Sequence, residues 1–208
     1  MIERYTRPEM GHLWSIQNEW QTILNVEIAA CEAMAELGEI PAAAVENIKA
    51  NAKFDVARIN EIEKTTDHDI IAFLTNLEEN VGEDSKYIHK GLTSSDVKDT
   101  AYCVMMRDAA AIILDDLNAF RAVLRRRAEE FRHTPCIGRT HGIHAEPMTF
   151  GLKLLLWSAE IERDIERLTR AKETVSVGKL SGAVGTYSNI DPRIEELTCK
   201  KLGITPVR

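Results

Sequence analysis

Two long stretches of helical apolar periodicity, joined by a short polar run, decide what this chain can fold into. In the first, Ala101, Met105, Ala109, Ile113, Leu117, Phe120, Leu124 and Phe131 recur at roughly helical steps. In the second, Phe150, Leu154, Trp157, Ile161, Ile165, Leu168 and Ala171 do the same. Long helices with one apolar stripe bury it only by packing on other helices. Charged residues fill the other faces: Arg125-Arg126-Arg127 with Glu129-Glu130, then Glu160, Glu162, Arg163, Glu166 and Arg167. Strand signals are weak throughout. The expected fold class is all-α, with a short-helix N-terminal domain over 1–111 and long helices suited to a bundle over 112–208.

The short helices are marked by caps. Thr6-Arg7-Pro8-Glu9 has a capping-box pattern. Ser15 precedes a stripe of Trp20, Ile23, Leu24, Ile28, Cys31, Met34 and Leu37 that Gly38 should close. Pro41 opens a shorter helix, and Phe54, Val56, Ile59 and Ile62 mark another. Asp191-Pro192 starts a last short helix that should end near Gly203. The glycine-rich run Val177 to Thr186 lacks the ending of a phosphate-binding loop and follows a helix, so it reads as a tight turn.

Composition narrows the class of function. A net charge of -7 over 208 residues argues against an extended nucleic-acid face, while leaving room for a small anion held by local cations. The four cysteines are widely spaced with no CxxC pair, which fits incidental thiols in a reduced compartment. The N-terminus has no apolar signal core and no segment has membrane-spanning length, so the expectation is a soluble, cytoplasmic protein without membrane partners.

Three polar breaks carry histidine. Thr65-Thr66-Asp67-His68-Asp69 places His68 at a helix start. Lys86 to Asp96 contains His89, Lys90, Thr93, Ser94 and Ser95 before the first long helix. Gly138 to Gly151 packs Arg139, His141, His144 and Glu146 between the long helices, with Pro147 expected to begin the second. Loops converging from one bundle would supply imidazoles, cations and hydroxyls able to hold an anion and move protons. Two metal readings compete: zinc at His141-x-x-His144, and a helical phosphohydrolase built on His68-Asp69. Gly142 and Pro147 argue for a loop against the first, and the second needs further ligands on neighbouring helices. A non-catalytic helical interaction module is the remaining alternative.

The run Gly138-Arg139-Thr140-His141-Gly142-Ile143-His144-Ala145-Glu146-Pro147-Met148-Thr149-Phe150-Gly151 resembles the histidine loop of the adenylosuccinate lyase family, in the fumarase/aspartase superfamily. Met1 to Met10, Gly91 to Thr100 and Lys179 to Tyr187 agree with it, so the likeness covers essentially the whole chain. The resemblance implies β-elimination of fumarate from adenylosuccinate and from a succinyl-carboxamide ribotide, without metal or organic cofactor.

Carried over by position, His141 would be the general acid and His68, with Asp67 and Asp69, would line the substrate site. Arg4 and Tyr5 would contact the nucleotide, His89 its phosphate, and Thr93 and Ser94 would bind through hydroxyl and N–H groups. Many relatives carry arginine where this chain has Asp67. The family's base, a serine in a Ser-Ser-x-Met-Pro-x-Lys-x-Asn-Pro signature, has no counterpart in these 208 residues. The expectations are therefore an inactive piece, a homotetramer at full length, and an apolar stripe left exposed on the long helices.

Overall fold

Most helix ends fall where short-range chemistry supplies a cap. The computed structural model describes residues 2–207. Its α-helices are α1 (Pro8–Leu13), α2 (Ile16–Glu36), α3 (Ala42–Asn51), α4 (Val56–Thr66), α5 (Asp69–Val81), α6 (Ser94–Glu130), α7 (Phe150–Val175) and α8 (Pro192–Leu202). The Ser15 hydroxyl oxygen accepts the Asn18 N–H at 3.2 Å and starts α2. At its end Gly38 takes φ 76°, donating to Ala35 O, while Glu39 N–H donates to Met34 O at 2.9 Å. These are the paired bonds of a left-handed glycine cap. Asp55 and Asp191 cap α4 and α8 in the same side-chain manner. The expected box at α1 does not form. Pro8 is the first helical residue, so Arg7 occupies the cap, Glu9 lies one position too early, and Thr6 donates instead to Ile2 O.

The chain divides into two compact units. One runs to Arg107 and resumes at Val175; the other is Asp108–Thr174. The division expected after Ala111 falls inside α6, and the clustering differs from it chiefly in returning the segment from Val175 onward to the first unit. That return is made by side chains: Leu180, Ile194, Cys199 and Ile204 are buried in the same core as α2 and α5. In that core Trp20 stacks on Phe73 with centroids 4.9 Å apart, and Phe54 meets Phe73 edge-on at 5.9 Å. Strands β3 (Val177–Gly178) and β4 (Thr205–Pro206) pair in parallel in the same unit; they are numbered after the two strands of the other unit.

In the second unit the structure corrects the reading of the polar run. Residues expected as a loop form an antiparallel hairpin, β1 (Pro135–Thr140) and β2 (Ile143–Thr149). Thr140 pairs with Ile143, leaving His141 and Gly142 as a two-residue turn at φ 50° and 74°. Two successive positive φ values match the turn whose twist suits a hairpin. Pro147 does not start α7. It lies opposite Ile137, beside the register shift between Ile137 and Arg139, where a missing N–H is tolerated. Thr149 instead caps α7 by accepting the Leu152 N–H at 3.2 Å. Gly151 is obligatory there, since a Cβ would sit 2.4 Å from Ala128 O.

Leu124, Ala128 and Leu154 are buried together in this unit, with Phe131, Phe150 and Ile161 packed against them. Leu152, Leu155, Leu156 and Trp157 are exposed, Leu156 by 63%; only Trp157 of these belongs to the stripe read from the sequence, whose Leu154 is buried. Apart from the hairpin and the β3–β4 pair, the described residues are helical or irregular, and the all-α class holds. No helix among the described residues is long and apolar enough to cross a membrane.

Candidate functional site

The first histidine break is a helix-to-helix corner. Asp67 ends α4 in the left-handed region at φ 49°, and the next residue, His68, caps α5. Its Nδ1 accepts the Ile71 N–H at 3.4 Å, and its Nε2 lies 3.5 Å from Ser94 Oγ at the start of α6. In that neutral tautomer Nε2–H is the donor. Asp69 Oδ1 lies 3.5 Å from the same Nδ1. Asp69 is committed on its other side to Lys98, with Nζ–Oδ2 at 2.5 Å. Burial alone would raise the Asp69 pKa, but Lys98, the Ile70 N–H and nearby positive charge hold it below the usual carboxylate value.

The second break ends in a buried carboxylate, Asp96. Asp96, three residues after Thr93, accepts the Thr93 N–H at 3.0 Å, which is the returning half of a capping box. It also accepts Ser181 N–H, Gly182 N–H and Lys179 Nζ, so one side chain holds the start of α6 to the glycine-rich run. Leu180 N–H of the same run, and the Tyr187 hydroxyl just beyond it, donate to Glu195. The expected tight turn is thus hung between two helices by carboxylates. Five residues before Ser94, His89 takes φ 63° and makes both its N–H and ring bonds to Glu27 of α2.

Arg4 and Tyr5 meet each other, the guanidinium 4.7 Å from the ring centroid, and both are exposed. His141 is exposed at the hairpin tip of the second unit, and His144 stands in β2 opposite Arg139. A groove of about 790 Å³ beside them is lined by Ile137, Arg139, Met148, Leu152, Lys153 and Leu156. Among the described residues no cluster of three or more His, Cys, Asp or Glu could hold a metal ion.

Of the expected residues, the structure joins His68 to Ser94 and Asp69, and sets Thr93 on Asp96. The sequence reading missed Glu27, Asp96, Lys98, Lys179 and Glu195. Two of these had signals. Glu27 interrupts the apolar stripe of α2 at a core position, and Thr93-Ser94-Ser95-Asp96 has capping-box spacing.

The Glu27–His89 pair gives the fold a pH dependence. Burial would push the imidazole toward neutrality, yet the hydrogen bond and charge of Glu27, aided by Asp96, raise its pKa above the usual value. A raised folded pKa contributes stability that is complete below about pH 6.5 and lost as pH rises through the folded value. Thermal unfolding followed from about pH 6 to 9 should show the midpoint falling, and His89→Gln should flatten that fall. Equal slopes in the two proteins would remove the pair as its source.

A family model described as Lyase matches residues 3–207. The adenylosuccinate lyase of Synechocystis sp. is 55% identical over 206 residues, covering 99% of this chain and 48% of that protein. The adenylosuccinate lyase of Bacillus subtilis is 52% identical over 204 residues, covering 98% and 47%. The chain therefore spans about half the length of the curated relatives it matches. Among solved structures, a fumarate lyase from Mesorhizobium sp. superposes with TM-score 0.89 at 30% identity, covering 95% of this chain and 48% of that one. A 3-carboxy-cis,cis-muconate lactonizing enzyme from Pseudomonas putida superposes with TM-score 0.91 at 28% identity, covering 98% and 48%.

Proposed function

Because this chain belongs to the lyase family, within the fumarase/aspartase superfamily, we propose that it supplies the acid half of an adenylosuccinate lyase active site. The observation that carries the reading is the meeting of His68 with Ser94, 3.5 Å apart, where α5 and α6 begin. Helix N-termini and hydroxyls bind anions, and an imidazole between them can position or protonate one. The substrate is a nucleotide bearing an N-linked succinyl group.

In the proposed reaction a base removes a proton from the succinyl β-carbon, and the adjacent carboxylate spreads the developing carbanion charge. The C–N bond then breaks, the electron pair leaves with nitrogen, and His141 protonates it. Adenylosuccinate thus yields AMP and fumarate, and the succinyl-carboxamide ribotide yields its carboxamide and fumarate. His68, oriented by the Ile71 N–H, helps position the succinyl or leaving-group end. Arg4, Tyr5, Asp67, Thr93 and Ser94 bind substrate, and His89 takes its phosphate. No metal or organic cofactor enters these steps. The turn at His141–Gly142 suits the acid, since a two-residue tip lets an imidazole reach a ligand without surrounding bulk.

The serine base is supplied from outside these 208 residues, in a full-length protein that we place in the cytoplasm as a homotetramer. Enzymes of this superfamily are typically tetramers, and the exposed Leu152, Leu155, Leu156 and Trp157 of α7 offer such an assembly an apolar face. In that protein 1–111 would be the N-terminal helical domain and 112–208 the first part of the central helical bundle.

Fumarate release tests the reading. A full-length protein containing this chain and the serine loop should release fumarate from adenylosuccinate, and the 208-residue chain alone should not. Turnover by the chain alone would overturn the need for the serine loop. No turnover by the longer protein, with no AMP binding, would favour a helical interaction module instead.

A further inference from the structure

Glu27 occupies a place where a carboxylate is costly. It lies on α2 between buried Val26 and the buried Ala29–Ala30 pair, and its exposure is 0%. An ionised group so placed must be paired and hydrogen-bonded. Both of its oxygens are used, and both by one residue 62 positions away: Oε2 accepts the His89 N–H at 2.9 Å, and Oε1 meets His89 Nδ1 at 2.5 Å. His89 holds φ 63°, a conformation that non-glycine residues adopt only when their surroundings impose it. Backbone and ring are thus fixed together by the same carboxylate.

The neighbouring groups leave the imidazole as the counter-charge. Asp96 on α6 is fully buried and negative in its bonds to Lys179 and three amides. Cys31, one turn along α2 from Glu27, is pushed up to about 12 by burial and by Glu27 and Glu32, so it stays a neutral thiol. Lys90, next in the chain, turns to Glu39 at 3.8 Å. With Nδ1–H given to Glu27, anything the ring offers a ligand must come from Nε2–H. The His89 side chain keeps 15% exposure while Glu27 keeps none, so the ring reaches from the core to the surface.

We propose that Glu27 is the positioning residue of the phosphate subsite, holding His89 as an imidazolium whose Nε2–H donates to the phosphate monoester of the ligand. This rests on the reading of His89 as the phosphate contact and adds what makes it one. A neutral imidazole that keeps Nδ1–H on Glu27 would present the bare lone pair of Nε2 and repel a phosphate oxygen. The buried carboxylate fixes the tautomer and the charge at once, and a charge-assisted donor is roughly twice as strong as a neutral one. Because Glu27 and His89 lie in the same unit, the subsite forms without the hairpin that carries His141.

The test is direct observation of ring nitrogens by long-range ¹H–¹⁵N correlation in this chain, with His89 assigned among the six histidines through His89→Gln. In the native chain at about pH 7.5, both His89 nitrogens should carry protons, above the ordinary imidazole range. Glu27→Gln keeps the shape and an acceptor for the His89 N–H but removes the charge, so His89 should become neutral at that pH. Inorganic phosphate and AMP should shift Nε2 of His89 in the native chain, and adenosine should not. Glu27→Gln should weaken phosphate binding about tenfold at that pH, where an ordinary imidazole is about one-tenth protonated, and recover most of it near pH 5.5.

A neutral His89 in the native chain overturns the proposal, and that measurement stands even if Glu27→Gln does not fold. So does an imidazolium that survives Glu27→Gln, an equal response to adenosine, or a loss of phosphate binding that is the same at both pH values. The last result would mark Glu27 as merely structural. Failure of the lyase reading shows separately, as absent fumarate release by the longer protein.

Discussion

Replacing His141 by alanine in a full-length protein containing this chain is expected, on the proposed lyase reading, to lower kcat on the order of 10²–10⁴-fold, the usual cost of losing a positioned general acid. The unfolding midpoint should move little. His141 is exposed at the tip of the β1–β2 hairpin, so its side chain supports no core. The one structural demand at this position is φ 50°, which asparagine tolerates better than alanine. His141→Asn therefore separates backbone from chemistry: it should keep the turn and still lose turnover. Steady-state fumarate release with matched thermal melts makes the measurement. Normal kcat in His141→Asn would remove His141 from the acid role.

Asp96→Ala should be the most damaging stability change among the residues around the site, at about 3–5 kcal/mol. Asp96 is fully buried and accepts N–H groups of Thr93, Ser181 and Gly182, with Lys179 Nζ at 2.9 Å. Lys179 is 36% exposed and can turn to water, so its stranded charge is the smaller part of the loss. The amides of Ser181 and Gly182 cannot turn, and each buried donor left unpaired costs about 1–3 kcal/mol. Denaturant unfolding measures the difference. Asp96→Asn, which keeps the volume and one acceptor oxygen, should lose less than Asp96→Ala. A loss below about 1 kcal/mol for Asp96→Ala would mean that water reaches those amides.

Both changes also separate the parts of the molecule that the sequence made visible from those it did not. His141 drew notice as a histidine beside glycine in a polar run. Its actual setting, a two-residue hairpin turn, is obscured in the residues because Pro147 suits a helix start and no apolar alternation marks the strands. The signal available was Thr140-His141-Gly142-Ile143, a glycine-ended pair between short extended segments. Asp96 stands among the cap-forming Thr93, Ser94 and Ser95, and its spacing from Thr93 alone offers it a bond.

By itself the sequence determined the helices and most of their ends. Apolar spacing, Ser15, Asp55 and Asp191 as caps, and Gly38 and Gly203 as stops all act within about one helical turn, so local order suffices to read them. The family likeness also lay in the residues themselves. Only the tertiary structure decided what the buried charges do. Glu27 finds His89 across 62 positions, and Asp96 finds Ser181 and Gly182 across 85 and 86. A carboxylate enters a core only against a partner that meets its charge and its lone pairs. That partner is fixed by how helices pack, and no spacing along the chain records it.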